Sequence, residues 1–439
     1  MRLPLPVLAV FGLVFCAELG HAMLYPLVPG LAREFALSPT QAGALLSAAT
    51  LATLVAAVPA GLLAERIGGL RVSIGAGALL ATAAALQAVA GGFPAFLAGR
   101  VLYGLAFAAV WTAGVTLLAT PSGARSAVGG TVTVGGMAHL VGPPLSGVLS
   151  DTVGRALPFC LLAGAAVVVT VVLSRTAAPA AGADAQPGLR AAARAAGSEP
   201  VLRSAIVLIA MIGTFTGMVP LVVPLLLDRD GFSSAEIGAV FAAGSLIWVL
   251  ASALAVRAGS RAVTVGVAGT GLVLLAGAAL MPVLVLATPC LIAFVVLRAG
   301  IQAPLSTINY ALGADGARSA GVAIGAAMGL LNLVWAACAA TAPLVAGALV
   351  AGAGGPRSVF LLLALACAAA GLWIRFSRSG ADDAPAAPAR TASRAARRGP
   401  TGPARAASPS RRAARRSVLR SRASRSCPPT GPGRTRSAG

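Results

Sequence analysis

The apolar positions of this chain neither alternate with polar ones, as in a half-buried strand, nor keep to one stripe, as in a soluble helix. They fill whole intervals: residues 35–64, 72–99, 101–124, 204–227, 262–297 and 320–356 contain no Asp, Glu, Lys or Arg. A bilayer core about 30 Å thick needs about 20 apolar residues per helix, so several of these intervals hold one helix and part of the next. Breaks such as Gly91-Gly92-Phe93-Pro94 and Met281-Pro282 divide them. Twelve spans result, near 5–28, 39–63, 72–90, 95–118, 127–149, 157–174, 203–227, 236–256, 262–281, 284–311, 319–350 and 358–375. A membrane barrel would alternate every second residue, whereas the run from Leu161 to Leu173, LLAGAAVVVTVVL, is apolar on every side. The pattern predicts an all-α membrane protein with twelve transmembrane helices.

Composition agrees and adds an orientation. Of 439 residues, 58% are hydrophobic and 10% charged, which excludes a set of water-facing domains. The 33 basic residues are all Arg, and 14 of them follow Ser379. With an inside N terminus, Arg2, Arg66, Arg71, Arg125, Arg175, Arg190, Arg194, Arg203, Arg257, Arg261, Arg318, Arg375 and Arg378 are cytoplasmic, against Arg33, Arg155, Arg229 and Arg357 outside. That excess predicts an even number of spans, with both termini cytoplasmic, in the cell membrane. The run from Arg2 to Phe15-Cys16 does not read as a cleaved signal, because Phe15 is too bulky for a cleavage site and the apolar run resumes through Val28. Cys16, Cys160, Cys290, Cys338 and Cys367 fall within spans, show no metal-ligand spacing and read as small core residues.

The chain also repeats itself. Gly123-Ala124-Arg125-Ser126-Ala127 recurs as Gly316-Ala317-Arg318-Ser319-Ala320, 193 residues later. Ser38 and Gly43 match Ser233 and Gly238 at a spacing of 195, and Arg66-x-Gly68 matches Arg257-x-Gly259 at 191. Three near-equal spacings predict a duplicated six-helix unit. The domains expected are an N-terminal bundle over 1–175, an Ala-, Pro- and Gly-rich cytoplasmic linker over 176–200 and a C-terminal bundle over 201–378. Residues 379–439, rich in Ala, Arg, Pro and Ser, read as a disordered cytoplasmic tail. Its Arg residues would attract anionic lipid headgroups, and without interleaved aromatics it is not expected to bind nucleic acid specifically.

At the boundary of the second and third spans stands Gly61-Leu62-Leu63-Ala64-Glu65-Arg66-Ile67-Gly68-Gly69-Leu70-Arg71. It resembles the G-x-x-x-D-R-x-G-x-R-R loop of the major facilitator superfamily of secondary transporters, with Glu for Asp and Leu70 for one basic residue. The fifth span carries Gly129, Ala138 and then Gly142-Pro143-Pro144-Leu145-Ser146-Gly147. This is similar to the motif of the drug:proton antiporter branches, with Ala138 and Ser146 in place of two glycines. Arg100-Val101-Leu102-Tyr103-Gly104 resembles the family's R-x-x-Q-G in the fourth span. The resemblance implies two pseudo-symmetric six-helix bundles around a central cavity. It also implies an inner latch of Gly61, Glu65, Arg66, Gly68 and Arg71, and an outer seal of Gly142, Pro143 and Gly147. Physically, Gly61 would permit close helix approach, and Pro143 and Pro144 would bend their helix and free carbonyls.

Glu18 is the one acid near the middle of a span. Placing a carboxylate there costs roughly 2.5 to 3.5 kcal/mol on insertion scales, so it should face the bundle interior. Desolvation favours its neutral form and a nearby cation its charged form, and a group balanced between them can carry a proton. His21 lies three residues on, on the same face, and His139 lies within the fifth-span motif. Glu18, His21 and Arg100 are therefore the candidate proton-coupling residues; a static pair of Glu18 with Arg100 or His21, or a hydrogen bond from it to a neighbouring helix, is the structural alternative. Tyr25, His139, Arg298, Gln302, Asn309 and Asn332 are candidates for the cavity wall, with helix–helix hydrogen bonding as the competing role. Trp111 and Trp248 could stack on a substrate or serve as interface anchors.

The expected function is export of a small amphipathic or hydrophobic compound in exchange for a proton, by a monomer without metal or cofactor. A sugar or other metabolite permease, or a non-transporting receptor, remains the alternative. An enzyme is disfavoured, since no intramembrane acid pair, His-rich cluster or Ser-His-Asp set is visible.

Overall fold

The computed structural model describes residues 5–114, 117, 124–176, 189–258 and 264–382. Among them every regular element is a helix. In chain order these are α1 (Leu5–Ala22), α2 (Leu24–Glu34), α3 (Pro39–Ile67), α4 (Gly69–Val89) and α5 (Phe93–Ala109), which runs into a π-helical turn (Val110–Gly114). There follow α6 (Ala124–Thr152), α7 (Ala156–Ser174), α8 (Leu189–Ser198), α9 (Pro200–Arg229), α10 (Ser234–Ala258), α11 (Val265–Leu284), α12 (Thr288–Ser319), α13 (Ile324–Ala351) and α14 (Gly355–Asp382). Eleven helices of the described residues are long and apolar enough to cross a membrane. The 29-residue α6 lies where the fifth span was expected.

Three local features depart from the expected spans. The first span is two helices broken at Met23. Pro26 and Pro29 lack an N–H, so the carbonyls of Ala22 and Tyr25 lose their helical donor and the chain bends here. The fourth span ends in the π-helical turn, and the expected linker contains α8, whose Ala192 is buried in a cluster with Ala326 and Leu330 of α13. Helices also run past the apolar windows where side chains supply the end groups. Ser38 and Gln41 form a capping box at α3, and Ser233 and Glu236 exchange the same two hydrogen bonds at α10. Residues 383–439, most of the expected tail, lie outside the described residues, as does 177–188 of the linker.

The helices sort into two sets. α1 and α3 to α7 pack among themselves, and so do α9 to α14. The sets meet along α6 with α10 and along α3 with α13, with α2 against α9. We call the end where α1 begins the near end and the opposite one the far end. At the far end the contacts are backbone on backbone. Gly238 packs on the Pro143 carbonyl and Gly147 on the Ser234 carbonyl, while Gly43 packs on the Pro343 carbonyl and Gly347 on that of Pro39. At all four a Cβ would fall well inside van der Waals distance. Pro143 and Gly147 thus have counterparts in Pro343 and Gly347, 200 residues later, which the sequence reading did not pair.

Polar contacts add to the same end. Arg33 donates to Asp228 across the sets, and the Ala235 N–H at the start of α10 donates to Asp151 Oδ2 at 2.7 Å. Towards the near end the picture reverses: residues 50–67 of α3 and 245–258 of α10 include none that is buried. The hollow between the sets is closed at the far end and opens towards the near one. Consistent with this, Gly61 brings no helix close, since a Cβ there would meet nothing within 4 Å.

Gly147→Ala and Gly238→Ala should each cost about 1–3 kcal/mol of stability by overpacking against backbone. Gly61→Ala should be neutral or slightly stabilising. Thermal unfolding in detergent checks this; equal effects at the three sites would contradict the packing described.

Candidate functional site

The break at Met23 and the π-helical turn set the centre of the hollow. Ser146 Oγ of α6 donates to the Met23 carbonyl at 2.9 Å, tying the break to the Pro143–Gly147 segment. Opposite, the π-helical turn widens the end of α5 and carries Trp111. Its Nε1–H donates to Glu18 Oε1 at 2.8 Å. The other carboxyl oxygen, Oε2, lies 3.1 Å from Nε2 of His139 on α6. Gly135, one turn before His139, leaves room for the Glu18 stem, since a Cβ would sit 3.4 Å from Glu18 Cγ. Glu18 is buried and both its oxygens are satisfied, as a carboxyl in this medium requires.

His139 is itself positioned from its backbone. Pro143 has no N–H to give the His139 carbonyl, and Ser245 Oγ of α10 reaches that carbonyl at 3.1 Å from the other set, its one proton shared with the Phe241 carbonyl of its own helix at 3.0 Å. The residue that bonds Glu18 is therefore tied to the α6–α10 contact. Around the pair stands an aromatic wall. His21 meets Tyr25 edge-on at 5.8 Å between ring centroids and lies 6.1 Å from His139 and 6.2 Å from Phe107. Tyr25 reaches across the sets to Phe241 of α10 at 5.4 Å. His21 thus faces the cluster through its ring and makes no hydrogen bond to Glu18.

Arg100 is fully buried on α5 but does not pair with Glu18. Its Nε–H donates to the Leu45 carbonyl of α3 at 3.3 Å, and its guanidinium lies 4.7 Å from the centre of the Tyr103 ring. Tyr103, which stands where the resembling motif has Gln, donates its hydroxyl to the Ala17 carbonyl of α1. Gly104 then lets α5 approach the Ala49 carbonyl of α3. Arg298 sits in the other set. One terminal nitrogen donates to Gln302 Oε1 at 2.9 Å, and Gln302 Nε2 donates to the Ile212 carbonyl of α9 at 3.1 Å.

The remaining candidates scatter. Asn309 is buried on α12, its amide without a partner, and Asn332 is exposed and accepts from the Tyr310 hydroxyl at 3.3 Å. Glu65, Arg66 and Gly68 are exposed at the near end, with no ion pair among the described residues; Arg71 touches only the Ile67 carbonyl, at 3.5 Å. Gly142 packs on Ala22 and Leu19 of α1, beside the break. Cys16 and Cys367 are buried, whereas Cys160 is exposed on α7 and is no core residue. No metal-binding cluster occurs among the described residues. The sequence reading missed Trp111 as a donor and did not single out Ser245, Phe107 or Phe241. The available signal was an indole N–H deep in a span, which has to find an acceptor.

The described helices thus form a polytopic membrane bundle with a polar pair buried inside it. The chain belongs to the Major Facilitator Superfamily, whose family model matches residues 10–337. Among solved structures it is similar to a bacterial homolog of the human lysosomal transporter Spinster in an inward-facing, occupied conformation, with a TM-score of 0.68 at 16% identity, covering 85% of this chain and 96% of that one. It is also similar to the nucleoside transporter NupG, with a TM-score of 0.69 at 12% identity, covering 84% and 99%. At these identities the likeness is one of fold. No curated protein matches the sequence.

Ser245→Ala should cost about 1 kcal/mol, by leaving the His139 carbonyl without a donor. In a Pro143→Ala background, where the helix regains its own N–H, the loss should shrink towards zero. Chemical unfolding of the four proteins of this cycle tests it, and an undiminished loss in the double variant would disprove the link.

Proposed function

We propose that this chain is a proton-coupled secondary transporter that moves a small amphipathic or hydrophobic compound by alternating access. The observation that carries this reading is the Glu18 carboxyl held between Trp111 and His139. At 3.1 Å, His139 Nε2 donates to the carboxylate as an N–H of the neutral or charged ring and accepts from a neutral acid, so one geometry serves the pair with or without an added proton. Because His139 hangs from the α6–α10 contact, rocking of the two sets changes the surroundings of the proton site together with the side it faces. The Arg distribution supports a cytoplasmic near end and cell-membrane placement, so the closed far end is the outer one. In this reading Gly142, Pro143 and Gly147 form part of the outer seal, and the stretch from Gly61 to Arg71 would engage only when the near end closes. The protein works as a monomer of two six-helix bundles.

The fifth-helix resemblance supports export in exchange for a proton. A second reading, a permease that carries a metabolite together with a proton, is favoured by Arg298, which has no carboxylate partner among the described residues. An anion at Arg298 and a proton on the Glu18–His139 pair stabilise each other, as co-transport requires. A compound that displaces the proton gives exchange. Everted and right-side-out vesicles distinguish the two directions.

In either direction, Glu18→Gln should reduce gradient-driven transport to background while the protein remains inserted and still exchanges labelled substrate across the membrane without a gradient. Gradient-driven accumulation at the wild-type rate in that variant would reject Glu18 as the coupling residue.

A further inference from the structure

The two intramembrane guanidinium groups occupy equivalent places, Arg100 on α5 and Arg298 on α12, 198 residues apart. Their surroundings differ. Arg100 is wholly enclosed, stacked on Tyr103 and bonded through Nε to the Leu45 carbonyl, and its two terminal nitrogens, shut off from solvent, have no partner, so no ligand reaches it. Arg298 is half-buried, and only one of its nitrogens is engaged, by Gln302. Its Nε is shielded from solvent and has no hydrogen-bond partner. Gln302 is fixed in turn by the Ile212 carbonyl, so its own oxygen is turned to Arg298 and holds the guanidinium in one orientation.

What Arg298 lacks is a counter-charge. Glu18, the acid of the membrane interior, is occupied at both oxygens. Tyr25 of the opposite wall acts electrostatically on Arg298, and no carboxylate of the described residues forms an ion pair with it. Arg100 adds a second positive charge to the same region, close enough to act on His21 and Tyr25. An Arg side chain stays charged in a protein, and an uncompensated charge in this medium is costly. A guanidinium oriented by a neutral amide, with donors left over and Tyr25 within electrostatic reach, suits the two oxygens of a carboxylate.

We propose that Arg298, oriented by Gln302, binds the carboxylate of an amphipathic organic anion whose apolar body lies against Tyr25, Phe107 and Phe241. The proposal rests on the hollow being a transport site, and by the charge argument above it favours co-transport over exchange.

Three probes of matched shape test it on the full-length protein in detergent: phenylbutyrate, the neutral phenylbutyramide and the cationic phenylbutylamine, each titrated calorimetrically at fixed ionic strength. Wild type should bind the acid at least about tenfold more tightly than the amide, as expected for a charge-assisted hydrogen bond. Arg298→Gln should bring acid and amide level, and Arg298→Lys should keep part of the preference; unfolding midpoints without ligand check that both variants fold. Wild type that binds the amide or amine as tightly as the acid, or fails to bind the acid at millimolar concentration, overturns the proposal. So does Arg298→Gln with the preference intact. If neither variant folds, the wild-type ranking decides alone. Binding needs no gradient, so an acid preference without proton-driven movement removes the transport reading and leaves the subsite. Proton-driven movement of the amine without acid binding removes the subsite alone.

Discussion

A carboxyl group inside a bilayer has to be bonded by the protein, because no water is at hand to do it. Glu18 meets that demand through two residues drawn from different helices, Trp111 on the π-helical turn after α5 and His139 on α6. Each sits where the regular helix is disturbed. The π-helical turn carries Trp111, and Pro143 frees the carbonyl of the residue that bonds the acid. The π-helical turn and the Pro143 site thus both lie beside the buried acid.

The same segment closes the far end. Pro143 and Gly147 pack on α10 by backbone contact, Ser146 holds the break between α1 and α2, and Ser245 joins α10 to His139. The acid, the break and the contact between the sets thus share a few turns of α6. A shift of α6 against α10 has to disturb the bonds around His139, and under the proposed function that links closure at one end to the proton site in the middle. The equivalent contact, Pro343 and Gly347 on α3, has the same packing but no acid beside it among the described residues.

Much of this was legible in the sequence, and the reasons are elementary. Apolar intervals long enough to span a bilayer fix helices, and the paired Ser38 and Ser233 mark two equivalent helix starts. Glu18, His21, Tyr25 and His139 meet because a polar side chain in a span has to turn inwards, so type and depth suffice to nominate them. Partners do not follow from depth. Trp111 lies 93 residues from Glu18, and nothing in spacing says that its N–H, and not the charge of Arg100, completes the carboxyl. Arg100 went elsewhere because Tyr103 offers its ring face one turn away. The break at Met23 was signalled by Pro26 and Pro29, which a window of apolar residues passes over, and α8 was hidden by a composition that suits a linker. Gly61 marks the limit of motif reading, since the close approach expected there is absent from this structure.

The central claim is that Glu18 exchanges a proton within the hollow. Infrared difference spectra of the reconstituted protein between high and low pH measure this directly, with Glu18→Gln as reference. The account predicts a protonated-carboxyl band that appears and disappears reversibly with pH in the native protein and is missing from the variant. A native spectrum identical to that of Glu18→Gln across the whole pH range would contradict it.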